Sequence, residues 1–268
     1  DRLGLAEGLT NADHPLLARV TVNRYWQMIF GRGLVSTSED FGMQGKPPTH
    51  PELLDWLARD LISSGWNLHH LLKKMVLSHT YRQESKIIPL AQEKDPENLL
   101  LSRSSAYRLP AEMIRDGLLS HSRLLHKKIG GPSSKPYDLN VSFKPIHPDG
   151  SPNVYRRSLY TFWKRTGPTP VMMALDASKR DVCTVRRERT DSPSQSLILL
   201  NGTQFVEAAR ALADQLIAKH GENNPMGLIN DAFRQLTSRY PSEEEAVILL
   251  NLLREQKEYF TDSKEVDK

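Results

Sequence analysis

The stretch Asn23 to Trp56, NRYWQMIFGRGLVSTSEDFGMQGKPPTHPELLDW, decides how the fold is read. A segment loaded with aromatics runs into Gly31-Arg32-Gly33, a natural helix stop. A loop rich in Gly, Pro and polar side chains follows, long for a connector in a compact helical body. Thr49-His50-Pro51-Glu52 then has the form of a capping box, with Thr49 at the N-cap and Glu52 three residues on. The expected local plan is helix, ordered loop, helix. The loop's polar side chains are the expected functional surface.

Upstream, Asp13 and Pro15 suit the start of a helix that runs to Phe30. Its apolar residues spread around most of the circumference, which predicts a central helix. Arg19, Asn23 and Gln27 fall on one stripe, and a buried polar stripe needs partners for every polar atom. Downstream, Leu53, Leu54, Leu57 and Leu61 mark an amphipathic helix. Asn67 caps the next, with Leu71 and Met75 inward. Pro110 opens another, which Gly130-Gly131-Pro132 stops. Residues 133–153 turn to Pro and Ser and lose aliphatics, marking an internal boundary. Tyr155 to Trp163 suits a strand or a helix equally. Beyond it, Ser192/Gln195 and Ser242/Glu245 have capping-box spacing, and the intervening segments are amphipathic.

The expected fold is mostly α: an irregular multi-helix domain with long ordered loops, with a small β element near 155–165 left open. It divides into an N-terminal helical part (1–132), a loop-rich and arginine-rich segment (133–190) and a C-terminal helical part (191–268), packed as one compact domain. Segments 31–50 and 133–190 are expected to share a concave face.

With 268 residues, 38% hydrophobic and 25% charged, the composition is that of a globular chain with a sizeable core. No apolar run is long enough to span a membrane. The single cysteine, Cys183, excludes an internal disulfide framework and a multi-cysteine zinc site, and is expected as a small buried thiol. The chain starts at Asp1, already in helical sequence, and is read as a piece of a longer protein. The net charge of +4 is uneven. From Arg156 to Thr190 there are nine Lys/Arg against three acids, on a body that is otherwise slightly acidic.

Two constellations could carry chemistry. Asp40, His50, Glu52 and Asp55 combine carboxylates and an imidazole, the groups of an acid/base or metal site. Helix capping by Glu52 and solvation of Asp55 explain the same residues. The metal, if one is held, is left unspecified. The second constellation joins Arg24 and Arg32 of the first part to Arg156, Arg157, Arg165, Arg186 and Arg187, with Tyr160 and Trp163 among them. Guanidinium forks grip carboxylate, sulfate or phosphate, and aromatics offer stacking faces. The same arginines could instead pair inside the body with Glu112, Asp116, Asp40 or Glu52.

Several stretches, taken together, resemble the planctomycete-type PSD domain family, domain of unknown function 1553. They are His14-Pro15-Leu16-Leu17-Ala18-Arg19, Asn23-Arg24-Tyr25-Trp26, Phe30-Gly31-Arg32-Gly33 and Asp40-Phe41-Gly42, then Thr49-His50-Pro51-Glu52, Ser78-His79-Thr80-Tyr81-Arg82-Gln83 and Arg108-Leu109-Pro110-Ala111-Glu112. Tyr155-Arg156-Arg157-Ser158, Arg165-Thr166, Asp176-Ala177 and Arg186-Arg187 complete the set. The resemblance covers nearly the whole chain in order. It implies the C-terminal module of a large exported protein (periplasm or cell surface), preceded by other domains of the same polypeptide. Those domains are the first expected partners. A c-type haem is implied for some upstream sequences. No Cys-x-x-Cys-His occurs here, so no cofactor is expected within this chain. The resemblance supplies no activity and no catalytic residues.

The expected function is therefore binding of an anionic ligand, an acidic or sulfated polysaccharide, or of a partner domain, through the arginine-rich face. An enzyme built on Asp40, His50, Glu52 and Asp55, hydrolase-like or redox-associated, is the alternative. Nucleic-acid binding ranks behind both.

Overall fold

The computed structural model describes residues 1–11, 13–138, 147–165 and 167–262. Of the Pro- and Ser-rich stretch, residues 139–146 lie outside the described residues, as do Thr166 and the last six residues. Among the described residues there are eleven α-helices and no strand, and the protein is mostly α. The contacts gather into two compact units. One is Asp1–Arg108 with Thr184–Arg186, and the other is Leu109–Cys183 with Arg187–Lys268.

The first unit holds α1 (Arg2–Thr10), α2 (Leu17–Phe30), α3 (Pro51–Ser63), α4 (Leu68–Leu77) and α5 (Pro89–Lys94). Helix α2 is central, and it packs on α3 and α4. Ala18, Val22, Trp26 and Phe30 recur every fourth residue and are buried, a stripe that matches the helical repeat. They meet Leu54, Leu57, Leu61, Leu71 and Met75 of α3 and α4. The rings of Trp26 and Phe30 stack with centroids 4.0 Å apart. Burying such side chains contributes about 1.5–3 kcal/mol each.

The ends of these helices differ from expectation in detail. Helix α2 starts at Leu17, two residues past Pro15, because the His14 ring nitrogen Nδ1 accepts from the backbone N–H of Leu16 and Leu17. Helix α3 has His50 at its N-cap, with no side-chain cap. Thr49 is drawn away: its N–H and its hydroxyl both donate to the Leu34 carbonyl. Gly31 ends α2 in the left-handed region at φ 82°. A side chain there would also strike the Tyr107 ring. Tyr107 in turn donates its hydroxyl to the Met28 and Ile29 carbonyls, 2.9 Å each, covering acceptors that the helix end leaves open.

The second unit holds α6 (Ala111–His121), α7 (Pro170–Ala174), α8 (Pro193–Asn201), α9 (Thr203–His220), α10 (Pro225–Thr237) and α11 (Glu243–Asp262). Its core is Ala111, Met172, Leu175, Ala177 and Phe205. Where a small β element was open, the chain forms two 3-10 turns, Asn153–Tyr155 and Ser158–Tyr160, and isolated bridges. The β-forming aromatics there find no neighbouring strand among the described residues, and their backbone bonds to loop segments instead. His126 donates its N–H to the Tyr155 carbonyl, and Ser134 donates to that of Tyr160. Both capping boxes form, at Ser192/Gln195 and at Ser242/Glu245.

Candidate functional site

The loop between α2 and α3 is built by the polar stripe of α2. Asn23 is fully buried, and its amide brackets Val35: Nδ2 donates to the Val35 carbonyl at 3.0 Å and Oδ1 accepts from the Val35 N–H at 2.9 Å. Gln27 accepts from the Ser38 hydroxyl at 2.9 Å. Arg19 pairs with Asp55 of α3 at 2.5 Å. The chain must pass close to Asn23, and a Cβ on Gly33 would lie 2.7 Å from its amide nitrogen. Thr37 closes the next turn. Its hydroxyl donates to the Asp40 carbonyl and accepts from the Lys46 N–H.

The four acid/base candidates are accordingly placed in separate local roles. Asp40 accepts from the Gly42 N–H at 2.7 Å. His50 Nδ1 lies 3.0 Å from the Thr49 hydroxyl. Glu52 is exposed in the first turn of α3, and Asp55 is tied to Arg19. That guanidinium, by hydrogen bond first and by charge second, holds the Asp55 carboxyl below its ordinary range. No three His, Cys, Asp or Glu among the described residues are grouped to hold a metal ion.

The arginines divide into builders and exposed cations. Arg156 is buried, and its guanidinium donates to the carbonyls of Pro132, Lys128 and Gly130 while lying 4.0 Å over the Tyr160 ring. Tyr160 is held by the same loop, its hydroxyl accepting from the Gly130 N–H. Arg187 pairs with Glu112 at 2.7 Å. In the first unit, Arg32 pairs with Glu97, and Arg24 stands exposed on α2. Arg157, Arg165 and Arg186 are exposed.

Sequence reasoning missed the largest builder. Arg115 on α6 is buried and donates to the carbonyls of Arg156 (2.9 Å) and Val154 (2.7 Å) and to the Gln204 side chain (2.8 Å). Its neighbour Asp116 accepts from the Ser158 N–H at 2.7 Å. Burial lowers the Arg115 pKa to about 10, against the pull of Asp116, and it stays charged at neutral pH. The adjacent Arg115-Asp116 pair in the middle of α6 was its one sequence signal.

Arg180 orders the exposed surface. Its guanidinium reaches the carbonyls of Ser158 and Thr161 at 3.4 Å each and lies 4.7 Å over the Trp163 ring. Residues 179–191 are exposed throughout. The contact ties the segment that carries Lys179 to residues 157–165, whose Arg157 and Arg165 are exposed and make no ion pair among the described residues. Cys183, expected as buried, is an exposed free thiol, because the strap that carries it has no apolar layer to sink into.

Residues 1–253 match a family model described as PSD1, protein of unknown function (DUF1553). No curated protein and no solved structure matches the chain.

Proposed function

From the premise that the chain belongs to the PSD1 (DUF1553) family of proteins of unknown function, we propose that it is a binding module of an exported multi-domain protein. In this reading it grips an acidic or sulfated polysaccharide through Arg157, Arg165 and Lys179 of its second unit. The observation that supports the proposal is the Arg180 contact with Ser158, Thr161 and Trp163, which ties the segment that carries Lys179 to the one that carries Arg157 and Arg165. Exposed cations without internal partners are free to meet sulfate or carboxylate groups along a polymer. The contact is electrostatic, so it weakens as salt shortens the screening length from about 10 Å at 0.1 M to about 3 Å at 1 M. Arg115 and Arg156 are buried and hold the fold, and Arg187 is taken up by Glu112.

The test is binding of the chain to a sulfated and to a neutral glycan at low and high salt. The expected result is selective, salt-weakened binding. It should fall about tenfold, the equivalent of 1.4 kcal/mol, when Arg157, Arg165 and Lys179 are all replaced by Ala, with the circular dichroism unchanged. Equal binding to the neutral glycan, or an unaltered affinity in the triple variant, would end the proposal.

A further inference from the structure

We infer that the strap between α7 and α8 is a processing site, cut after Arg186 by an arginine-specific protease to leave a two-chain protein that stays folded. The bond that breaks is the peptide bond from Arg186 to Arg187. One water is consumed: its oxygen joins the Arg186 carbonyl carbon and its protons go to the Arg187 nitrogen, leaving a carboxylate and an ammonium.

A protease cleft takes its substrate as an extended strand, through backbone groups that are free to bond to it. A helix withholds those groups until it opens. The strap needs no opening. Residues 179–191 are exposed throughout and lie in no helix or strand. Within them, Asp181 to Arg186 make no hydrogen bond and no ion pair among the described residues. Exposed loop tips of this kind are where nicking concentrates.

The arginines of the strap are not equivalent. Arg180 is held over Trp163 and reaches the Ser158 and Thr161 carbonyls. Arg187 pairs with Glu112 at 2.7 Å. Arg189 adjoins Thr190, which is bonded to Asp176. Arg186 is exposed, and its guanidinium is open to the acidic pocket by which such enzymes grip the residue before the cut. Exposed arginines elsewhere sit in closed turns that cannot lie flat in a cleft. The Arg123 N–H donates to the Ser120 carbonyl, the Arg157 carbonyl accepts from the Tyr160 N–H, and Arg165 lies inside the turn from Lys164 to Gly167.

Both sides of the cut are anchored without the bond. At the base of the strap, the Thr190 N–H donates to Asp176 at 2.7 Å. The buried Gln195 amide donates to the Thr190 hydroxyl and to the Ala174 carbonyl, 3.0 Å each. Beneath this clasp, Phe205 from after the cut packs with Ala111, Met172 and Leu175 from before it. Lys179 stays on the anchored side with Arg180, so the cut spares the surface proposed for the glycan.

The experiment digests the whole chain with an arginine-specific protease under native conditions and follows it by intact-mass spectrometry. The first products expected are residues 1–186 and 187–268, which run together on gel filtration with the circular dichroism of the uncut chain. Arg186→Gln, an exposed position where folding is not at stake, should lengthen the half-life of the intact chain at least about tenfold. Arg189→Gln should leave it unchanged. A first cut elsewhere, an unchanged half-life in Arg186→Gln, a lengthened one in Arg189→Gln, or fragments that part on gel filtration would each overturn the assignment.

Discussion

Asn23 sits in the middle of α2 with none of its surface exposed, and both ends of its amide are bonded to the backbone of Val35. Replacing it by Ala strands a buried N–H and a buried carbonyl, each costing about 1–3 kcal/mol. Asn23→Ala should therefore destabilise the first unit by about 2–4 kcal/mol, read from hydrogen exchange of the α2 and α3 amides. A loss under about 0.5 kcal/mol, the scale of an inert surface change, would mean that the loop holds its shape without this amide. Arg156 does the same work in the second unit. Its planar fork spans three carbonyls, which a lysine point charge cannot reproduce. Arg156→Lys should cost about 1–3 kcal/mol. Arg157→Lys, at the exposed neighbour, should leave stability within about 0.5 kcal/mol.

At the level of elements, α9 and α10 are joined by one carboxylate. Asp231 accepts from Lys219 Nζ at 2.7 Å and lies 2.8 Å from His220 Nε2, both in the last turn of α9. Lys219 first and His220 second hold its carboxyl well below the usual range. A carboxyl whose pKa is lower in the folded state stabilises the fold above its unfolded value, near 3.9. That contribution drains away as pH falls toward the folded value. Glu245, held at about 2 by Arg239 and by the Ser242 backbone, acts in the same direction in the first turn of α11. Stability should therefore drop between about pH 4 and pH 2. Asp231→Asn should flatten that drop, as followed by helical circular dichroism. An identical acid profile in the variant would show that the α9–α10 bridge carries none of it. These helices were legible in the sequence because caps and apolar spacing are local signals, and both capping boxes of the last third form. The polar stripe Arg19-Asn23-Gln27 was legible too, since burial obliges it to find partners. The partners themselves were not, because Val35, Ser38 and Asp55 are chosen by the path of the chain in space. For the same reason Thr49 looked like a cap but serves Leu34. The four acid/base candidates are near neighbours along the chain, and nearness in sequence did not fix which groups they would bond.

On the scale of the whole molecule, the chain has two cores, not one list of contacts. Trp26, Phe30, Leu61 and Leu71 belong to the first, and Met172, Leu175 and Phe205 to the second. A chain whose cores are separate need not unfold in a single all-or-none step, and a single midpoint is then not a well-defined quantity. Each unit also has its own buried polar clasp, Asn23 in the first and Arg115 in the second. Arg115→Ala leaves the Val154 and Arg156 carbonyls and the Gln204 side chain without their partner, at a cost of about 3–5 kcal/mol. The two lesions should separate when unfolding is followed by hydrogen exchange, which reports on each amide. Asn23→Ala should speed exchange in α2 and α3 and leave α6 and α9 unchanged. Arg115→Ala should do the reverse. If either variant accelerates both sets equally, the two cores open together. Opening together would mean that stability is held by the chain as one cooperative body, with neither clasp guarding its own unit.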